Sequence, residues 1–320
     1  MSDMPKSIRI REEGPREGFQ IEKNFISTER KIEFINALGK TGLHHIQTVS
    51  FVDPRRVPNS ADAEAVVAGI IPVPGVHFTA LWLNDKGFER ALATKKLHME
   101  GGLNVSASDA FLKRNQNRTV AEQLASLPAS IALYKKHNVP IEGGLISAAF
   151  GCNFQGDVTP ARVVDLATQM IDIGAGEGVT LKRLNLADTM GWATPMGVKR
   201  VVGAVREKFP ALELCLHLHD TRGMGVANAF AGLEMGVSLY DAACAGLGGC
   251  PFAGHAGAAG NVCTEDLVFM CDEMGIETGV NLQALIECAA LAEDVVGHPL
   301  PGSVMRGGSL KRLREKLQAA

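Results

Sequence analysis

Two histidines separated by one residue are the first candidates for chemistry. His217 and His219 end a run, residues 212–219, in which apolar residues alternate with others, a pattern that predicts a buried β-strand. Side chains two apart on a strand project from the same face, so the two imidazoles are expected side by side. Neutral imidazoles are common ligands of divalent cations. The alternative is a pair of strand histidines satisfied by neighbouring polar groups, so further candidate ligands elsewhere in the chain must decide.

A second candidate group is the adjacent pair Arg16 and Glu17, in the segment 14–20 that joins the first predicted strand to the first predicted helix. Glu17 offers the hard oxygen ligand that Mg²⁺ or Mn²⁺ prefers. Arg16 would place a fixed cation over the same pocket, suited to stabilising an enolate-like oxygen. A turn with a solvated Arg–Glu pair is the alternative interpretation.

The third candidate is the segment 246–261, which contains six glycines in 16 residues and therefore favours a mobile flap. Cys250 lies within it, an unusual place for a thiol that only packs. Asn261 ends it, either as the N-cap of the following helix or as an oxygen ligand. The segment lacks the lysine and hydroxyl residue of a P-loop, and we interpret His255 as a loop residue without a chemical role.

These candidates must be positioned by the elements around them. Short β-rich runs alternate with segments of helical spacing, two of which open with Thr-Pro at 159 and 194, a helix-start signal. Eight such repeats over about 275 residues predict a (β/α)₈ TIM barrel. An open doubly wound sheet is the alternative, but no G-x-G-x-x-G follows the first strand. The predicted strands are 8–10, 45–51, 78–83, 103–106, 141–149, 181–187, 212–219 and 239–245; the predicted helices are 27–38, 61–69, 86–94, 119–136, 159–173, 194–209, 226–235 and 264–274.

Extra C-terminal helices are expected beyond the barrel. Residues 282–296 form a predicted helix, and the basic tail 306–320 is either a docking helix or frayed. The sequence contains no linker or low-complexity segment. We therefore predict one domain over residues 1–320, with the barrel at about 7–276 and a helical extension at 277–320.

The candidate residues collect where predicted strands end, as active-site residues of such barrels do. Asp188 follows the sixth strand, where it either stabilises a turn or acts as a general acid or base. Arg16 and Glu17 follow the first strand, Gln47 lies in the second, and Asn261 comes after the eighth. Randomly chosen core residues would not give this distribution.

Bulk composition narrows the class of protein. The 320 residues carry a net charge of −3 without long runs of one sign, which argues against nucleic acid or an anionic membrane as partner. Seven cysteines without C-x-x-C pairs favour a reducing compartment and no thiolate zinc site. The first eleven residues are polar and charged, with no apolar signal core. A cytoplasmic enzyme is the expectation.

Several motifs together resemble the 3-hydroxy-3-methylglutaryl-CoA lyase family of metal-dependent barrel lyases and Claisen-type condensing enzymes. The resemblance runs from about Ile8 to Leu291, and the glycine-rich loop that bears Cys250 is its most specific element. The motifs are GPREGFQIEK, ISAAFGCNFQG, LADTMGWATP, LHLHDTRGMGVANAFAGLEMGVSLYDAACAGLGGCPFA and AGNVCTEDLVFM.

The resemblance implies a carbon–carbon lyase that cleaves a 3-hydroxy acyl-CoA by a retro-Claisen reaction, giving acetyl-CoA and acetoacetate from the family substrate. It implies a Mg²⁺ or Mn²⁺ ion as cofactor and self-association, for which we expect a homodimer. The implied roles are metal binding by Glu17, His217, His219 and Asn261; enolate stabilisation by Arg16; proton transfer by Asp188 and Cys250; lining of the site by Gln20 and Gln47; and orientation of Arg16 by Glu265.

This chain departs from the family pattern at several of these positions. Glu17 stands where the family has Asp, Gln47 where it has Glu, and Arg222 where it has Tyr, and the Cys250 loop is two residues longer. These departures keep three alternatives open: a lyase for a related substrate such as citramalyl-CoA, a condensing synthase, and a metal-binding barrel without catalysis. Product analysis with acyl-CoA substrates, or with acetyl-CoA plus an oxo acid, separates them.

Overall fold

Parallel β-strands carry the architecture in a computed structural model that describes residues 4–249 and 260–319. The strands of this part of the chain form one sheet in the order β3-β2-β1-β8-β7-β6-β5-β4. Neighbours with described register pair in parallel, for example Asn185 with Cys215 and Cys215 with Leu239. The strands are β1 Arg9–Glu12, β2 His45–Phe51, β3 His77–Trp82, β4 Gly101–Ser106, β5 Ile141–Ser147, β6 Arg183–Ala187, β7 Glu213–His217 and β8 Leu239–Ala242.

Helices follow the strands along the chain, as the sequence predicted. Thr159 and Thr194 cap two of them through their side chains, with proline in the first turn, which confirms the Thr-Pro start signals. The helices of the described residues are α1 Gly14–Ile21, α2 Thr28–Leu38, α3 Ala63–Gly69, α4 Asp85–Ala93, α5 Asp109–Gln116, α6 Val120–Ala125, α7 Leu127–Lys136, α8 Pro160–Gly176, α9 Pro195–Lys208, α10 Gly225–Glu234, α11 Thr264–Glu273, α12 Leu282–Val296, α13 Val304–Gly307 and α14 Leu310–Ala319.

Three local predictions were wrong. The segment after β1, predicted as a connection, is the helix α1, whose first backbone N–H (Gly14) is satisfied by the Glu12 side chain at 2.8 Å. The single helix predicted at 119–136 is two helices, α6 and α7, because the chain turns at Ser126 and Pro128 begins the second. The helix α5 was not predicted.

The chain divides into two compact units. The first consists of His98–Asp241 with residues 4–5 and 249, and the second of Lys6–Leu97, Ala242–Gly248 and residues 260–319. In the first unit, Phe154 and Trp192 pack on a buried cluster of Phe111, Ala148, Cys152 and Met190. In the second unit, α2 buries Phe34, Ile35 and Leu38 completely, and the Phe34 ring lies 5.7 Å from that of Phe19 on α1. This ring contact fixes the helix that bears Arg16 and Glu17.

The C-terminal tail, expected to be either a docking helix or frayed, contains the helix α14. Arg314 on α14 makes a bidentate ion pair with Glu273 on α11, at 2.9 and 2.7 Å. The helix buries no residue and exposes Leu313 and Leu317. Among the described residues, no helix has both the length and the apolar character that crossing a membrane requires.

Candidate active site

The two histidines of the first unit are brought together as predicted. His217 ends β7 and His219 lies two residues further along the chain. Both are buried, and their Nε2 atoms are 3.2 Å apart. Two ligand atoms at about 2.1 Å from an octahedral cation in adjacent positions are about 3 Å apart. The spacing of the two nitrogens therefore fits two adjacent positions of one such ion.

Asp241 on β8 orients the first of these imidazoles. Its Oδ2 lies 3.2 Å from His217 Nδ1 and accepts a hydrogen bond from Asn185 Nδ2 at 2.6 Å. A carboxylate at Nδ1 keeps the proton on that nitrogen and leaves the Nε2 lone pair for a metal. Sequence reasoning missed Asp241 and Asn185. The available signal was an acid inside a short apolar strand, a position that acids occupy rarely unless they are paired.

Asp188 lies in the same unit, directly after β6, and its backbone N–H donates to the His217 carbonyl at 2.8 Å. Its Oδ1 accepts hydrogen bonds from the backbone N–H groups of Trp192 and Ala193, at 2.7 and 3.0 Å. Its Oδ2 is buried and has no hydrogen-bond partner among the described residues. Burial raises the pKa of this carboxyl from about 3.8 to about 6, outweighing those two hydrogen bonds. A carboxyl of this kind suits proton transfer near neutral pH.

Arg222, one of the departures from the family pattern, fastens the turn that follows Asp188. Its NH1 donates to the carbonyls of Met190 and Gly191, at 3.1 and 2.7 Å. The guanidinium therefore gives this turn a charged hydrogen-bond donor.

Arg16 of the second unit contacts the side chains of Gln47, Glu13 and Glu17. Its Nε donates to Gln47 Oε1, its NH2 to Glu13 Oε2, and its NH1 lies 3.3 Å from Glu17 Oε1. The structure thus brings together Arg16, Glu17 and Gln47, three of the predicted site residues. It adds Glu13, which sequence reasoning missed.

Glu17 and Asn261 meet in the same unit, although they are far apart in the sequence. Asn261 Nδ2 donates to Glu17 Oε2 and to the Leu247 carbonyl, the latter at 3.1 Å. Asn261 Oδ1 is buried without a hydrogen-bond partner among the described residues. The buried amide oxygen of Asn261 and the neighbouring Glu17 carboxylate together offer two oxygen ligands for a hard cation.

The chain approaches itself closely where the predicted flap leaves and re-enters this unit. A Cβ on Gly260 would lie 1.8 Å from the Gly248 carbonyl oxygen, and one on Gly248 would lie 2.5 Å from Asn261 Nδ2. Gly248 also has a φ of +98°, which favours glycine. The two glycines therefore form a narrow neck beside Asn261. Cys250 and His255, on which two predictions rest, lie outside the described residues.

Gln20 and Glu265 occupy different surroundings in the second unit. Gln20 lines a cavity of about 20 Å³ together with Arg16 and Lys31. Glu265 is fully buried on α11, where its Oε2 accepts from the Ala245 N–H at 3.0 Å. Burial raises the pKa of Glu265 to about 7. The role of Glu265 in orienting Arg16 stays a prediction.

Comparisons with known proteins match nearly the whole chain. The chain is 40% identical to the mitochondrial hydroxymethylglutaryl-CoA lyase of Homo sapiens over 289 residues, which are 90% of this chain and 85% of that protein. It superposes on the crystal structure of the HMG-CoA lyase of Bacillus subtilis with a TM-score of 0.85 and 38% identity, covering 93% and 97% of the two chains. The HMG-CoA lyase of Acinetobacter baumannii, solved in complex with coenzyme A and 3-methylmalate, gives a TM-score of 0.84 at 36% identity, covering 95% and 96%.

The fold and these relatives define a (β/α)₈-barrel lyase that acts on carbon–carbon bonds, which confirms the predicted fold and enzyme class. The family model described as HMGL-like matches residues 7–292. The chain belongs to the HMGL-like family.

Proposed function

We propose that the protein cleaves 3-hydroxy-3-methylglutaryl-CoA to acetyl-CoA and acetoacetate. The observation that carries the proposal is 40% identity over 90% of the chain to an enzyme named for this reaction. The side chains that the reaction needs, an arginine and a buried titratable carboxyl, are present in the described residues as Arg16 and Asp188.

The cofactor that we propose is one Mg²⁺ or Mn²⁺ ion with Glu17, His217, His219 and Asn261 as its ligands. Two observations support it: the 3.2 Å spacing of the imidazole Nε2 atoms in one unit, and the unpartnered Asn261 Oδ1 beside Glu17 in the other. When bound, such an ion lowers the pKa of the substrate's tertiary hydroxyl.

Side chains of the protein carry out the proton transfers and stabilise the charge that develops during cleavage. Asp188 accepts the hydroxyl proton, and the electron pair of that O–H bond forms the ketone of acetoacetate as the carbon–carbon bond breaks. The bond's own electrons pass to the acetyl-CoA fragment as an enolate, whose oxygen Arg16 stabilises. Cys250 supplies a proton to the enolate carbon, and Gln20 and Gln47 line the site.

A related substrate is the second candidate, favoured by the direct contact of Arg16 with Gln47, a neutral side chain where the family resemblance implies an acid. The test is incubation of the purified enzyme and Mn²⁺ with a panel of 3-hydroxy acyl-CoAs, including citramalyl-CoA, with products identified by mass spectrometry. We expect acetyl-CoA and acetoacetate from the 3-hydroxy-3-methylglutaryl substrate at the highest kcat/KM. Faster cleavage of another member of the panel would reassign the substrate. If condensation of acetyl-CoA with an oxo acid were the favoured reaction, the enzyme would be a synthase. If no substrate were turned over, the protein would be a metal-binding barrel without catalysis.

We also propose that the protein is cytoplasmic, without nucleic-acid or membrane partners, as its charge and composition predict, and that it is a homodimer, as the family resemblance implies. Light scattering on the purified chain measures the subunit number.

A further inference from the structure

Glu13 occupies the N-cap position of α1 but does not cap it. N-caps are usually Ser, Thr, Asp or Asn, whose short side chains accept hydrogen bonds from the first turn, whereas no such bond involves the Glu13 side chain. That side chain is only 4% exposed. Burying a carboxylate costs free energy unless a hydrogen-bond or charge partner compensates. The partner of the Glu13 carboxylate therefore indicates what this residue does.

The partner is Arg16, which Glu13 and Gln47 hold by the same edge. Nε and NH2 form one side of a planar guanidinium group; Gln47 accepts from the first and Glu13 from the second. Glu17 lies near the remaining nitrogen, NH1, at 3.3 Å. The guanidinium plane is therefore fixed by two acceptors on the side opposite to the proposed metal ligand.

Both ends of the Glu13 backbone are anchored as well. Its N–H donates to the Ala242 carbonyl at 2.8 Å, and its carbonyl accepts from the Glu17 N–H at 2.8 Å. A carboxylate held on a fixed backbone positions a long arginine side chain better than a mobile one, since less conformational freedom remains to be lost.

We propose that Glu13 is the positioning residue for Arg16: it supplies the negative counter-charge that fixes the guanidinium edge, while the neutral Gln47 supplies only a hydrogen-bond acceptor. Without Glu13, the arginine is drawn towards Glu17, whose Oε1 lies 3.3 Å from Arg16 NH1. The task assigned to Arg16 rests on the proposed function, whereas its fixation by Glu13 does not.

The test compares Glu13→Gln with a matched control, Glu33→Gln. Glu33 also pairs with an arginine three residues away, Arg30, but this pair lies on the exposed surface of α2. We expect Glu13→Gln to lower kcat on the order of tenfold, because small displacements of a catalytic group have large effects on rate. Glu33→Gln should leave kcat unchanged. Thermal unfolding of each variant verifies that it is folded.

A charge swap separates positioning from a purely structural role. In the double variant Glu13→Gln/Gln47→Glu, the carboxylate is at position 47, where it faces the same Nε–NH2 edge of Arg16. We therefore expect kcat to recover to within about threefold of wild type. Failure of the swap to raise kcat above that of Glu13→Gln overturns the proposal, as does an unchanged kcat in Glu13→Gln.

A second readout is independent of the substrate. In ¹⁵N NMR spectra, the Arg16 NH2 proton signals, identified by their loss in Arg16→Lys, should exchange slowly with water in wild type and in Glu33→Gln, and rapidly in Glu13→Gln, because Glu13 accepts from this nitrogen. Equal exchange in all three overturns the positioning role even in a protein that does not cleave the proposed substrate. A wild-type enzyme without that activity, but with the expected exchange pattern, refutes the proposed function alone.

Discussion

Replacing Asp241 by Asn should weaken divalent-metal binding without unfolding the first unit. The amide oxygen of Asn can still accept from His217 Nδ1 or from Asn185 Nδ2, but the negative charge that strengthens both contacts is lost. Hydrogen bonds to an ionised group are about twice as strong as neutral ones, so the loss at His217 is about 1–2 kcal/mol. Removal of a carboxylate behind a ligating histidine typically raises the metal Kd by about 10–100-fold, or about 1.4–2.8 kcal/mol, a range that overlaps this loss.

The assay is isothermal titration calorimetry with Mn²⁺ on wild type, Asp241→Asn and the control Glu22→Gln. Glu22 contacts His298 Nε2 at 2.9 Å, so the control removes an acid from a histidine–carboxylate pair outside the proposed site. We expect a weaker Kd in Asp241→Asn only. A wild-type Kd in folded Asp241→Asn would refute the reasoning that His217 is a metal ligand oriented by this acid.

Three further predictions concern His217, Cys250 and the buried acid Glu12. His217→Ala should abolish Mn²⁺ binding and turnover while thermal unfolding stays cooperative; turnover by the metal-free variant would contradict the ligand assignment. Cys250→Ser should lower kcat much more than it weakens Mn²⁺ binding, and equal losses would indicate a structural role. Burial raises the pKa of Glu12 from about 4.5 to about 7, so the folded state binds the proton more tightly and the free energy of unfolding should fall by about 3 kcal/mol as pH rises from about 4.5 to 7. Urea denaturation across this range should show a smaller fall in Glu12→Gln, and an identical fall would exclude Glu12 as its source.

The strands and the histidine pair could be predicted because their signals are local. Alternation in residues 212–219 indicates a strand, and a two-residue spacing on a strand fixes a common face whatever surrounds it. The helix starts at Thr159 and Thr194 were predictable for the same reason, since the cap and the proline lie within one turn.

Other features depend on partners distant in sequence. The segment with Gly14 and Gly18 has weak helix propensity, and α1 forms because Glu12 accepts from its first N–H and because Phe19 packs on Phe34. The structural role of Asp241 depends on its hydrogen bonds with Asn185 and His217, which lie on two other strands. No pattern within a short window reports such pairings, so the supporting residues of the site were missed although its main residues were predicted.

The narrow neck at Gly248 and Gly260 has a consequence for how this enzyme can be altered. Since the two glycines touch, the chain that enters and the chain that leaves the loop are fixed against each other, beside Asn261 and Glu17. Of the eleven residues between them, those after Cys250 can therefore be lengthened, shortened or exchanged, while Cys250 is kept for its proposed proton transfer and the two oxygen-bearing side chains keep their places. Libraries that vary only this insert offer a route to lyases for bulkier acyl groups, and natural relatives have the same freedom to diverge.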